Sequence, residues 1–329
     1  MTWLRDALAT LPAGDLESRD AVRDRGVEIL RPAGALRELD AVAAWMARWQ
    51  ETTHPAVTKP AGLIFAADHG VAAAGVSAYP VDVTAAMLAA YRAGKSTVSA
   101  FARVAGATVD AIDVGVGRPT GDIRMEPALS TERFEECVQA GRSAVDALDA
   151  DLLVIGEMGI GNTTAAAAVA AALLGRAESA EFVGRGTGVD DEGFERKREA
   201  VAAAVARIAH VDDPLEVLRE VGGAELVAMA AAIVAARHRK LPVLLDGYVV
   251  TAAAVPLAVA QRGALDHCQV GHRSAEPGHV RVLEFLRKRP LLDLGMRLGE
   301  GSGAMAAVPL VAMACVGITD VPTFGEWFG

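Results

Sequence analysis

The stretch Asp151-Leu-Leu-Val-Ile-Gly-Glu-Met-Gly-Ile-Gly-Asn-Thr-Thr164 constrains this chain more than any other. Leu152 to Ile155 form a short apolar run between turn formers, the pattern of a strand buried on both faces. Gly156, Gly159 and Gly161 then permit a sharp bend and a close approach of backbone to ligand. Asn162, Thr163 and Thr164 are suited to cap an alanine-rich helix over 165–174. Strand, glycine turn and helix N-terminus in succession gather free amides into an anion site. Glu157 inside that turn is out of place where only a phosphate is held, and points to chemistry beside the anion.

Composition agrees with a parallel sheet under helices. Hydrophobic residues make up 52% of 329 and aromatics only 5%, so the core is built from Ala, Val and Leu. A formal net charge of -10 argues against nucleic acid and against an anionic membrane surface as partners. Cys137, Cys268 and Cys315 are far apart and odd in number, as reduced thiols in a cytoplasm would be. Charge appears too early at the N-terminus for a signal peptide. The most lipid-like segment, 302–318, is short and holds Pro309 and Gly317, which predicts a buried helix and no membrane span. A soluble, cytoplasmic protein is expected.

Residues 1 to about 50 are expected to be helical, with breaks at Pro12-Ala-Gly14 and Pro32-Ala-Gly34 and no visible chemistry. Strands are expected at 63–67, 108–114, 152–155, 242–247, 268–271 and 291–294, with a further strand edge over 181–188. Helical stretches lie between them, at 84–104, about 136–148, 194–208, 214–220, 224–237 and from about Val249. This alternation predicts an α/β fold with a doubly wound, mostly parallel, Rossmann-like sheet. Nearly every strand runs into a polar, glycine-rich turn, and open sheets of this kind bind ligands beyond the strand C-termini.

Singly, these turns are weak signals. Neither Gly184-x-Gly186-x-Gly188 nor Gly299-x-Gly301-x-Gly303 matches the dinucleotide fingerprint. Ala89 to Ser96 only approaches a phosphate loop: its first glycine is missing and no strand precedes it. His267, Cys268, His272 and His279 fit no zinc spacing, so no metal is expected. Glu157 and Glu300 say more. Each sits in a glycine-rich turn after a strand, between apolar neighbours, where a carboxylate gains proton affinity and can act as a general base.

The combination resembles the nicotinate-nucleotide:dimethylbenzimidazole phosphoribosyltransferase family. The matching stretches are Ala67-Asp-His-Gly-Val71, Gly75-Val-Ser-Ala-Tyr-Pro80, Gly156-Glu-Met-Gly-Ile-Gly-Asn-Thr-Thr164, Gly184-Arg-Gly-Thr-Gly188, Asp246-Gly247, His272-Arg-Ser-Ala-Glu-Pro-Gly-His279 and Leu294-Gly-Met-Arg-Leu-Gly-Glu-Gly-Ser-Gly-Ala304. They follow the family's order from about Gly62 to the C-terminus.

The resemblance implies a Rossmann-like catalytic domain over 61–310 and a small helical lobe made of 1–60 and 311–329. It implies a homodimer with no cofactor or metal. The implied reaction moves the 5-phosphoribosyl group of nicotinate mononucleotide onto 5,6-dimethylbenzimidazole. Glu300 would be the general base and Glu157 the second carboxylate, near the sugar. Gly159, Gly161, Asn162, Thr163, Gly186, Gly188, Lys197, Asp246 and Ser274 would hold the nucleotide and its phosphate. Ser77, Tyr79, Met87, Met158 and Leu298 would wall the aromatic acceptor.

The chain departs from the family pattern at Ala85-Ala86-Met87, where a glutamine is frequent, and is short between Gly117 and Ala150. The first bears on the identity of the aromatic base, the second on dimer contacts. A hydrolase using water as acceptor, or a non-catalytic nucleotide-binding module, are the competing readings.

Overall fold

A computed structural model, which describes residues 2–329, resolves the alternation into one six-stranded sheet, parallel throughout. In chain order the strands are β1 (Pro60–Ala67), β2 (Thr108–Gly115), β3 (Leu152–Met158), β4 (Val243–Leu245), β5 (Cys268–His272) and β6 (Pro290–Leu292). Their spatial order is β2-β1-β3-β4-β5-β6, so β3 lies near the middle. Period-two alternation sends side chains to two cores. Leu63, Phe65, Leu153, Ile155, Val243 and Leu245 enter one; Ile64, Leu152, Val154 and Leu244 enter the other.

The first face is covered by α6 (Thr131–Asp146), α7 (Asn162–Leu174), α10 (Ala224–His238) and α11 (Tyr248–Ala260). Alanine dominates α7 and α10, which lets backbones pack closely. The second face carries α3 (Arg37–Gln50), α4 (Val83–Arg92), α5 (Thr97–Ala105) and α13 (Ser302–Thr319). α13 is long and apolar enough to cross a bilayer by length and composition. More than half of it is buried, on α3, α5 and β5.

Four expectations are corrected. Gly156, Glu157 and Met158 belong to β3 rather than to a turn: Gly156 is there because it is overpacked on one side, not because the chain bends. Asn162, Thr163 and Thr164 lie inside α7, whose N-cap is Gly161 at φ 95°, so the polar side chains are free for other contacts. Residues 181–188 form no strand; a 3-10 turn over Ser179–Phe182 leads into an irregular loop. Two helices lie outside the expected set, α12 (Pro277–Leu286) and α14 (Phe324–Phe328). Pro277 at the start of α12 and the Thr323–Glu326 capping box of α14 are the local signals for them. The remaining helices are α1 (Thr2–Ala9), α2 (Leu16–Glu28), α8 (Asp191–Arg207) and α9 (Pro214–Val221).

The α6–α10 contact shows how tight this packing is. A Cβ on Gly141 would lie 2.0 Å from the carbonyl oxygen of Ala228. Gly141→Ala is therefore expected to cost about 3 kcal/mol by overpacking. Gly94→Ala, opposed only by its left-handed backbone (φ 66°) with open space around it, should cost about 1 kcal/mol. Chemical denaturation of both variants checks this, and the reverse order would contradict it.

Candidate active site

A cavity of about 290 Å³ opens beyond the carboxyl ends of β3, β4 and β5, reached by the segments that leave each strand. A glycine contact brings two of its lining residues together. A Cβ on Gly156 would come within 2.4 Å of the Gly301 amide nitrogen and 2.6 Å of the Glu300 carbonyl carbon. Only glycine lets β3 touch the turn ahead of α13. On that turn a Cβ at Gly299 would lie 2.4 Å from Glu157 Oε1. Glu157 and Glu300, distant in sequence, thus arrive side by side.

Both carboxyls are buried, and neither forms an ion pair with Lys or Arg among the described residues. Burial pushes Glu157 up to about 8; the Asn162 side-chain amide, which donates to its Oε2, opposes this, and the charges of Asp246, Glu225 and Glu300 add to it. Burial raises Glu300 as well, with the Tyr91 hydroxyl opposing and Asp246 reinforcing. Oε2 of Glu300 has no hydrogen-bond partner among the described residues. Glu300 also holds a left-handed backbone at φ 64°, unusual for a side chain with a Cβ and costing about 1 kcal/mol. The turn that pays this cost aims the carboxyl into the cavity.

The other end of the cavity is cationic. Lys197 on α8 is buried and donates from Nζ to Thr163 Oγ1 at 2.9 Å. Burial lowers it to about 8, partly offset by Glu276. Gly186 packs against both Thr163 and Lys197, and its amide donates to Glu276 Oε1 at 2.8 Å. Arg185 and Arg297 also line this end. The first turn of α7 lies between the two ends, and its N-terminal dipole favours an anion there.

Met87, Met158, Val83 and Val76 form an apolar wall, with Tyr79 and Leu298 half-exposed at the mouth and Ser77 beside them. Val83 and Met87 share one face of α4 by their four-residue spacing. Ala85 and Ala86 are exposed and outside the cavity lining, so their side chains do not shape the wall here.

Of the residues named from the sequence, only Gly188 lies outside this lining; it is exposed, at φ 117°. Asp246 lines the cavity, yet its oxygens accept from the amides of Gly301 (3.2 Å) and Ala304 (2.8 Å). Ser274 donates its amide to His279 Nδ1 at 2.9 Å, and His267 bonds the Ile233 carbonyl through Nε2 at 2.9 Å. Burial holds both histidines neutral, with values near 3. Sequence reasoning missed Glu276, His272, Arg185 and Arg297 in the lining, and the buried Tyr91 behind Glu300. Glu276 stands directly before Pro277, where it reads as an ordinary helix cap.

The raised Glu157 has a stability signature. Below its ordinary value of 4.5 the carboxyl is neutral in both folded and unfolded chains. As pH rises from there to about 8 the unfolded chain ionises first, so stability falls across that window. Glu157→Gln removes the penalty. Its melting temperature relative to the native chain should be higher at pH 9 than at pH 5, through an effect on the order of 4 kcal/mol. Scanning calorimetry at both pH values measures it, and a pH-independent difference would contradict the assignment.

Comparison with known proteins gives the family and the fold. The model of a phosphoribosyltransferase family matches residues 11–327. A nicotinate-nucleotide–dimethylbenzimidazole phosphoribosyltransferase of Mesorhizobium japonicum is 47% identical over 324 residues, covering 98% of this chain and 96% of the relative. The enzyme of that name from Ruegeria sp. (strain TM1040) is 46% identical over 98% of this chain and 95% of its own. The crystal structure of CobT from Thermus thermophilus superposes with a TM-score of 0.90 at 43% identity, covering 95% of this chain and 98% of that one. The chain belongs to the nicotinate-nucleotide–dimethylbenzimidazole phosphoribosyltransferase family.

Proposed function

We propose that this cavity transfers the 5-phosphoribosyl group of nicotinate mononucleotide to 5,6-dimethylbenzimidazole, giving nicotinate and α-ribazole 5′-phosphate. The observation that carries this reading is the meeting of Glu157 and Glu300 at one end of a cavity whose other end holds Lys197. The nucleotide is itself bipolar, with a cationic pyridinium at the sugar carbon and an anionic phosphate at the 5′ position. Its charges are complementary to those of the cavity, cation towards the carboxyls and phosphate towards Lys197.

Nicotinate leaves from a pyridinium, so the ring nitrogen departs with its electron pair and needs no acid. Positive charge then grows on the ribose, where nearby carboxylates stabilise it. Glu157 is mostly protonated in the free protein near neutral pH, and the incoming cation favours its ionised form. The benzimidazole attacks through one nitrogen while its other nitrogen must lose a proton. Glu300, with Oε2 unpartnered at the slot, takes that proton. Attack opposite the departing base inverts the β-nucleotide to an α-product.

Phosphate adds to the partial counter-charge that Glu276 gives buried Lys197, aided by the Gly186 loop and the first turn of α7. Met87 and Met158 give a flat acceptor an apolar wall to lie against. That apolar wall disfavours the hydrolase reading, because it leaves water few partners beside Glu300. A homodimer, as the family resemblance implies, is part of the same proposal.

Glu300→Gln is expected to lower base transfer by about 10²–10⁴-fold while nicotinate mononucleotide binds as before. Chromatography of the products, with calorimetric binding, separates the two effects. Turnover equal to that of the native chain would remove Glu300 from the proton transfer.

A further inference from the structure

Asp246 is fully buried, immediately after β4, and its side chain reaches across the sheet edge to the segment that carries Glu300. One carboxylate oxygen accepts from the Gly301 amide at 3.2 Å, the other from the Ala304 amide at 2.8 Å. These amides bracket the N-terminus of α13, the first directly after Glu300. His272 Nε2 stands 3.5 Å from Oδ1, the oxygen that accepts from Ala304. The surroundings are closed to small adjustments. A Cβ on Gly303 would fall 1.9 Å from the His272 ring, and one on Gly156 would strike the Gly301 amide. Glu300 meanwhile sits in a left-handed conformation that local preference does not supply.

We propose that Asp246 is a positioning residue for Glu300: its paired bonds to the Gly301 and Ala304 amides hold the turn that aims the general base at the acceptor. This rests on the reading of the cavity given above. Chemistry makes the carboxylate hard to replace. An asparagine of the same shape has a single acceptor oxygen and turns an N–H₂ towards the second amide, donor against donor. The bond to one amide survives and the other opens, so the turn loses a constraint next to Glu300.

Asp246 also acts on Glu300 by its charge. The groups facing the Glu300 carboxyl are Asp246, Glu157 from β3 and Tyr91 from α4; those facing Asp246 are Glu300, Glu157 and His272 from β5. Burial and then Asp246 raise Glu300, while the Tyr91 hydroxyl lowers it. A general base works only when ionised, so turnover falls on the acid side of that value. Removing the Asp246 charge moves this acid limb to lower pH.

The test is steady-state kinetics of the full chain with nicotinate mononucleotide and 5,6-dimethylbenzimidazole, native against Asp246→Asn, from pH 5 to 9. The expected result for Asp246→Asn is a kcat lowered about 10- to 100-fold, as for a displaced catalytic group, with the KM for the nucleotide within about twofold. The acid limb of kcat should lie at lower pH than in the native chain. A raised nucleotide KM with kcat intact would make Asp246 a substrate contact and overturn the proposal. An unmoved acid limb would reduce it to a structural role and overturn it equally. Asp246→Ser, shorter and uncharged, is the second variant. Failure of both to fold would assign Asp246 to the fold as a whole and also overturn the proposal. Absence of transfer by the native chain is a separate outcome, since it would defeat the functional reading itself.

Discussion

The contact between Gly156 of β3 and Gly301 ahead of α13 is the constraint on which the site depends. Two backbones meet there with no side chain between them, closer than any Cβ would allow. The sheet brings β3 to its middle, and more than half of α13 is buried against the second core. Their meeting places a glutamate from each within one cavity. Packing therefore sets the chemistry, and the glycines nearby serve proximity more than flexibility.

Electrostatics follow from that proximity. Glu157, Glu300, Asp246 and Glu225 are buried near one another, and the nearest basic partners are histidines: His69 for Glu225 at 2.6 Å, His272 for Asp246 at 3.5 Å. Such a cluster favours protons or an incoming cation. Lys197 at the far end is the mirror case, a buried amine whose hydrogen bond to Thr163 brings no negative charge. The free protein thus holds charge demands of both signs at opposite ends of one cavity, the cationic one met only in part by Glu276. A molecule carrying a cation at its sugar carbon and a phosphate at its 5′ end answers both.

Much of the fold was legible because the signals were local. The apolar run at 152–155, the alanine-rich segments and the turn-forming glycines each report on their own neighbourhood. The cavity location followed from a general rule of open sheets, and both glutamates stood out by their odd surroundings. What the sequence hid was long-range. Gly156 looked like a turn residue because its overpacking partner is far along the chain. Asp246 looked like a ligand contact because the amides it accepts from belong to residues 301 and 304. Tyr91 sits mid-helix with nothing local to mark it, yet it stands behind Glu300. The 181–188 segment reads as a strand edge by apolar content, but its glycines and the 3-10 turn before it keep it off the sheet.

The central claim is that the cavity keeps a carboxyl protonated near neutral pH by burial among like charges. Carbon-13 NMR titration of protein labelled at the glutamate side-chain carboxyl measures this directly. One resonance should titrate at about 8 and vanish from the spectrum of Glu157→Gln. Titration of every glutamate in the ordinary carboxylate range would contradict the account.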